Sequence, residues 1–125
     1  MKREPAKRFQ ELLVWQKAHQ LVLEVYRYSA TFPKTEIYGL ASQLRRAAVS
    51  VPANIAEGFK RRHKPDKLRM LNIAQGSLEE ARYYLLLAVD LQYGPCDGLH
   101  KQGAEVASLL GAYTHAIETT LSTRP

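Results

Sequence analysis

Three short breaks punctuate an otherwise continuous helical pattern, and they limit the possible folds more than any other feature. Thr31-Phe32-Pro33, His63-Lys64-Pro65 and Tyr93-Gly94-Pro95 each carry a proline, which biases the residue before it away from helical geometry. Before the first break, Trp15, Ala18, Val22, Val25 and Phe32 recur at helical steps from Phe9 onward, predicting a helix that ends near Ala30. A second pattern starts within 36–40 and runs to about Arg62; Pro65 suits the first turn of the third helix. That third helix carries Leu71, Ala74, Leu78, Ala81, Leu85 and Ala88 as one apolar seam. Asp97 is the expected cap of a fourth, with a seam of Leu99, Val106, Leu110, Tyr113, Ile117 and Leu121. No stretch alternates like a strand. Four helices joined by short turns predict an all-α, antiparallel up-down-up-down four-helix bundle over residues 9–125, behind a basic tail of residues 1–8.

At 125 residues, 46% of them hydrophobic, the chain can bury a core without metal or disulfide support. Its single cysteine, Cys96, forms no internal disulfide and suits a reducing compartment. The opening MKREPAKRFQELLVWQK lacks an apolar run of signal length, and no segment approaches a membrane span, so a cytoplasmic protein is expected. Charge is unevenly placed. Residues 1–69 hold 15 Lys and Arg against 6 Asp and Glu, whereas residues 70–125 hold 3 against 6. An up-down bundle brings the N-terminal tail, the turn between helices two and three, and the C-terminus to one end. Lys2, Arg3, Lys7, Arg8, Lys60, Arg61, Arg62, Lys64, Lys67, Arg69 and Arg124 then converge, either as a phosphate-binding surface or as a solubilising end.

Helix two, with QLRRAAVSVPANIAEGFKRR at residues 43–62, divides into three faces at 100° per residue. Leu40, Leu44, Ala48, Val51, Ile55 and Phe59 form the core face. Gln43, Arg46, Ser50, Asn54 and Glu57 form a polar seam, which is either solvated or an interhelical hydrogen-bond network. Val49, Pro52, Ala53 and Ala56 form an apolar face that a monomer would leave to water, so self-association through helix two is expected. Pro52 removes the donor for the Ala48 carbonyl and predicts a kink. In an antiparallel hairpin it lies opposite about position 75, where Gln75-Gly76-Ser77 offers small side chains. Glu79 and Glu80 fall near the level of Arg45 and Arg46, predicting at least one salt bridge between helices two and three.

YGLASQLRRAAVSVPANIAEG (38–58), preceded by LLVWQKAHQLVLEVY (12–26) and FPKTE (32–36) and followed by LNIAQGSLEEARYYLLLAVDL (71–91), resembles the bacterial four-helix bundle proteins encoded in intervening sequences of 23S ribosomal RNA genes. Residues 94–125 match only by helical pattern. The resemblance implies a homo-oligomeric bundle, pentameric in relatives of known structure, with no catalytic reaction assigned. Related bundles accompany reverse transcriptases and bind nucleic acid through basic surfaces.

Catalytic signatures are missing from the sequence. The four histidines are scattered, and Glu-x-x-His, phosphate-loop, G-x-S-x-G and C-x-x-C patterns do not occur. A non-enzyme without metal or cofactor is therefore expected, binding RNA or DNA nonspecifically through the basic end. The alternative is a protein-binding scaffold or accessory subunit, for example of a reverse transcriptase. Trp15 and the tyrosines could stack on bases, but helical position assigns most of them to core or subunit contacts.

Overall fold

The computed structural model describes residues 4–120. After a short 3-10 turn at Phe9–Glu11 come helices α1 (Leu13–Ser29), α2 (Leu40–Lys60), α3 (Lys64–Asp90) and α4 (Asp97–Thr119), with a second 3-10 turn at Lys34–Glu36 between α1 and α2. No strand occurs among the described residues. Each helix packs on its chain neighbour, and α1 closes against α4.

Neighbouring helices run antiparallel, because their contacts climb one helix while descending the other. Between α2 and α3, Ser50 meets Ser77 while Gly58, further along α2, meets Met70. Between α3 and α4, Lys64 reaches Glu118 and Thr120, Arg82 lies against Gly103, and Leu85 meets Cys96. Lys17 pairs with Glu105, and Tyr28 reaches Gly94 just ahead of α4.

The core follows the apolar seams. Leu44, Val51 and Ile55 of α2, Leu71, Leu78 and Leu85 of α3, and Val106 and Leu110 of α4 are fully buried. Truncating a leucine of this kind to alanine costs about 2–5 kcal/mol. On α1, Val14, Ala18, Leu21, Val22 and Val25 are buried. Trp15, expected on that seam, is half-buried and stacks on His19 instead. Among the described residues, every buried side-chain polar atom has a hydrogen-bond partner.

Local chemistry sets the boundaries. Leu12 is extended, so the helix expected from Phe9 is divided into a 3-10 turn and α1; the Gln16 side-chain amide donates to the Gln10 carbonyl across the break. Asp97 does not cap α4. It is the first helical residue, and Cys96 holds the cap position without a side-chain capping bond. α2 is one α-helical element with Pro52 inside it. Its start is fixed by Glu36, whose carboxylate accepts from the Leu40 amide at 3.0 Å and the Tyr93 hydroxyl at 2.6 Å. A Cβ on Gly39 would lie 2.5 Å from that carboxylate, so a side chain there would push the carboxylate aside.

Candidate nucleic-acid interface

The end of the bundle where α2 turns into α3 gathers the expected cations, but it uses them in two ways. Lys67 sits in the first turn of α3, and its ammonium donates to the carbonyls of Gly58 at 3.2 Å and Phe59 at 2.8 Å. It closes the C-terminal turn of α2, where helical carbonyls lack partners. Partial burial pushes its pKa down. Lys64 does the same for α4, donating to the carbonyls of Glu118 and Thr120, both at 2.8 Å. These two residues of the expected phosphate-binding set are therefore occupied in tying helix ends together.

The remaining cations are surface groups. Arg61 pairs with Glu57 at 3.3 Å and Arg8 with Glu11 at 3.5 Å, both in exposed local pairs that contribute little. Lys7, Lys60, Arg62 and Arg69 are exposed and form no ion pair among the described residues. Lys2, Arg3 and Arg124 lie outside the described residues. Beside the exposed cations, the Phe9–Glu11 turn and the last turn of α2 enclose a groove of about 290 Å³ lined by Lys7, Arg8, Phe9, Gln10, Ala56, Phe59 and Lys60. Sequence reasoning missed this groove. Its available signal was Phe59, the only large residue of the α2 core face beyond Ile55, which lies too near the helix end to be fully covered.

The other two α2 faces also divide. Of the polar seam, Ser50 Oγ lies 2.8 Å from Ser77 Oγ, and the Asn54 amide donates to the Ser50 carbonyl and hydroxyl at 2.7 and 2.9 Å. Gln43, Arg46 and Glu57 are exposed. The seam is a hydrogen-bonded network in its middle and solvated at both ends. On the apolar face, Val49 and Ala53 are exposed and Ala56 is half-buried, but Pro52 is buried, correcting its assignment to a water-facing position. The reason is α1: Arg45, two turns earlier on the same stripe, donates to Ser29 Oγ at 2.7 Å and lies over the Tyr26 ring at 4.7 Å, so the Arg45–Pro52 edge of the face runs along α1 while Val49 and Ala53 stay exposed.

No salt bridge joins α2 and α3 among the described residues. Glu79 pairs with Arg82 at 3.0 Å and Glu80 accepts from the Tyr84 hydroxyl at 2.8 Å, both within α3. Neighbours one turn away need less ordering than a partner on another helix. Arg46 and Glu80 only share a small cavity at the expected level. Of Gln75-Gly76-Ser77, Ser77 makes a hydrogen bond to α2; Gly76 is exposed with open space around it. Close approach occurs instead at Gly58, where an added Cβ would come within 3.2 Å of Met70 Cβ.

With this geometry in hand, the comparisons with known proteins are specific. The family model of the 23S rRNA-intervening sequence protein matches residues 10–112, most of the chain. The chain belongs to that family. Among solved structures, this 23S rRNA-intervening sequence protein is similar to a crystal structure of a protein of unknown function from the S23 ribosomal protein family of Bacteroides thetaiotaomicron. The two share 21% identity and a TM-score of 0.75 over 82% of this chain and 96% of the other. That likeness carries the fold. The curated proteins contain no match. Among the described residues of this intervening-sequence protein, no cluster of three His, Cys, Asp or Glu could hold a metal, and no helix is long and apolar enough to cross a membrane.

Proposed function

We propose that this intervening-sequence protein is a non-catalytic, cytoplasmic, homo-oligomeric bundle that binds RNA or DNA through its basic end, with phosphates as the main contact. The observation that carries the reading is the set Lys7, Lys60, Arg62 and Arg69, exposed and without ion pairs among the described residues, around one end of the molecule. Contacts of this type give binding that ignores sequence and weakens with salt. Self-association rests on exposed Val49 and Ala53. The Cys96 thiol is buried and its pKa is raised by that burial, so Cys96 is not an activated nucleophile.

The test is a fluorescence-anisotropy titration of nuclease-treated protein at two salt concentrations. Reversing Lys60, Arg62 and Arg69 to Glu should weaken binding more than tenfold and flatten the salt slope by about 0.9 for each duplex phosphate that is no longer neutralised. Lys67→Met should lower thermal stability by roughly 1 kcal/mol, as expected for a lost helix-end cation, and change affinity by less than about twofold. Unaltered binding by the triple variant would exclude the basic end as the binding surface.

A second reading, a scaffold for a protein partner, is favoured by the opposite end. Tyr38 is 96% exposed beside exposed Ile37, on a turn held at Glu36 by Leu40 and Tyr93. Copurification of a protein after nuclease treatment, lost on Tyr38→Ser, would support that reading over the first.

A further inference from the structure

The groove at the basic end combines features that phosphate binding alone does not need. Phe9 and Phe59, both half-exposed, and the small side chain of Ala56 supply an aromatic and apolar lining. Lys7, Arg8 and Lys60 supply a cationic rim. Phe9 is packed against Trp15 at 5.1 Å, which holds its ring in place at the mouth of the groove. A rim that attracts phosphate around a lining that accepts a flat apolar surface matches a nucleotide whose base is unpaired. A duplex keeps its bases stacked inside and can offer only phosphates to the rim.

Resting on the proposed nucleic-acid binding, we infer that the Phe9–Phe59 groove takes an unpaired base, so that single-stranded nucleic acid is the preferred ligand. Phosphates on either side of that base are held by Lys7, Arg8 and Lys60. The base lies against Phe59. Ala56 must stay small, because a larger side chain there would fill the groove.

The experiment compares single-stranded RNA, single-stranded DNA and a duplex of equal length, binding to wild-type protein, Phe59→Leu and Ala56→Leu, with circular dichroism as the check on folding. Wild-type protein should bind one or both single strands at least fivefold more tightly than duplex. Each variant should weaken single-strand binding about tenfold, in the range of one base stack, and leave duplex affinity and its salt slope unchanged. Variants that weaken duplex and single strands equally, or neither, overturn the groove assignment while leaving the basic-end reading intact. Equal wild-type affinity for single strand and duplex overturns it without any variant. No binding to any polymer at low salt defeats the basic-end reading itself, and the groove assignment with it. If an acidic peptide or a second copy of the chain fills the groove instead, single-strand preference will be absent and the same result will reject the assignment.

Discussion

Glu36 shows how one side chain can join parts of the chain that are far apart in sequence. One carboxylate oxygen accepts from the first amide of α2 and the other from Tyr93, which belongs to the connection between α3 and α4. Those bonds favour the ionised form, the Tyr93 hydroxyl most strongly, and hold the carboxyl below its usual 4.5. The same bond raises the pKa of Tyr93. A carboxyl with a depressed folded-state pKa contributes stability that is complete above its unfolded value and disappears as pH falls through the folded one. Glu36→Gln should therefore lower the thermal midpoint at pH 7, with the gap to wild type closing as pH drops below about 4.5. A gap independent of pH, measured by calorimetry across that range, would assign the effect to shape and not to charge. Nothing in the sequence marks this residue out, because its hydroxyl partner lies 57 positions away.

At the level of helices, α2 and α3 approach through Gly58 and not through Gly76. A side chain at Gly58 would meet Met70 Cβ and the Lys67 carbonyl, neither of which can swing aside, whereas one at Gly76 meets open space. Gly58→Leu should destabilise by about 1–3 kcal/mol through overpacking, and Gly76→Ala should stabilise by about 0.5–1 kcal/mol through helix propensity. Urea unfolding of both variants checks the contrast; similar effects at the two sites would refute it. The periodic seams made the four helices legible, since Leu71, Leu78, Leu85 and Leu110 can be buried only by neighbours on the side they share. Pro52 was misplaced because a helical wheel gives directions on one helix but not where the next helix lies. Lys64 and Lys67 read as surface charge for a related reason: their partners are backbone carbonyls, which any sequence possesses and none advertises. The groove was hidden because one wall of it comes from residues 7–10, which the sequence divides between the basic tail and the first helix.

For the molecule as a whole, the proposed self-association turns on the flank where Val49, Ala53 and Tyr26 are exposed. Ala53→Glu puts a charge on that flank without touching the core. Light scattering after size exclusion should then report a smaller assembly than wild type; an unchanged mass would show that the flank is not a subunit contact. The cap made by Lys64 also has a meaning in time. Its acceptor carbonyls lie 54 and 56 positions further along the chain, whereas those of Lys67 lie 8 and 9 positions back. Chains are synthesised from the N-terminus, so Lys67 can be seated as soon as α3 begins, but Lys64 waits until Glu118 has been added. A nascent or truncated chain therefore presents one more uncapped cation at this end than the finished protein does.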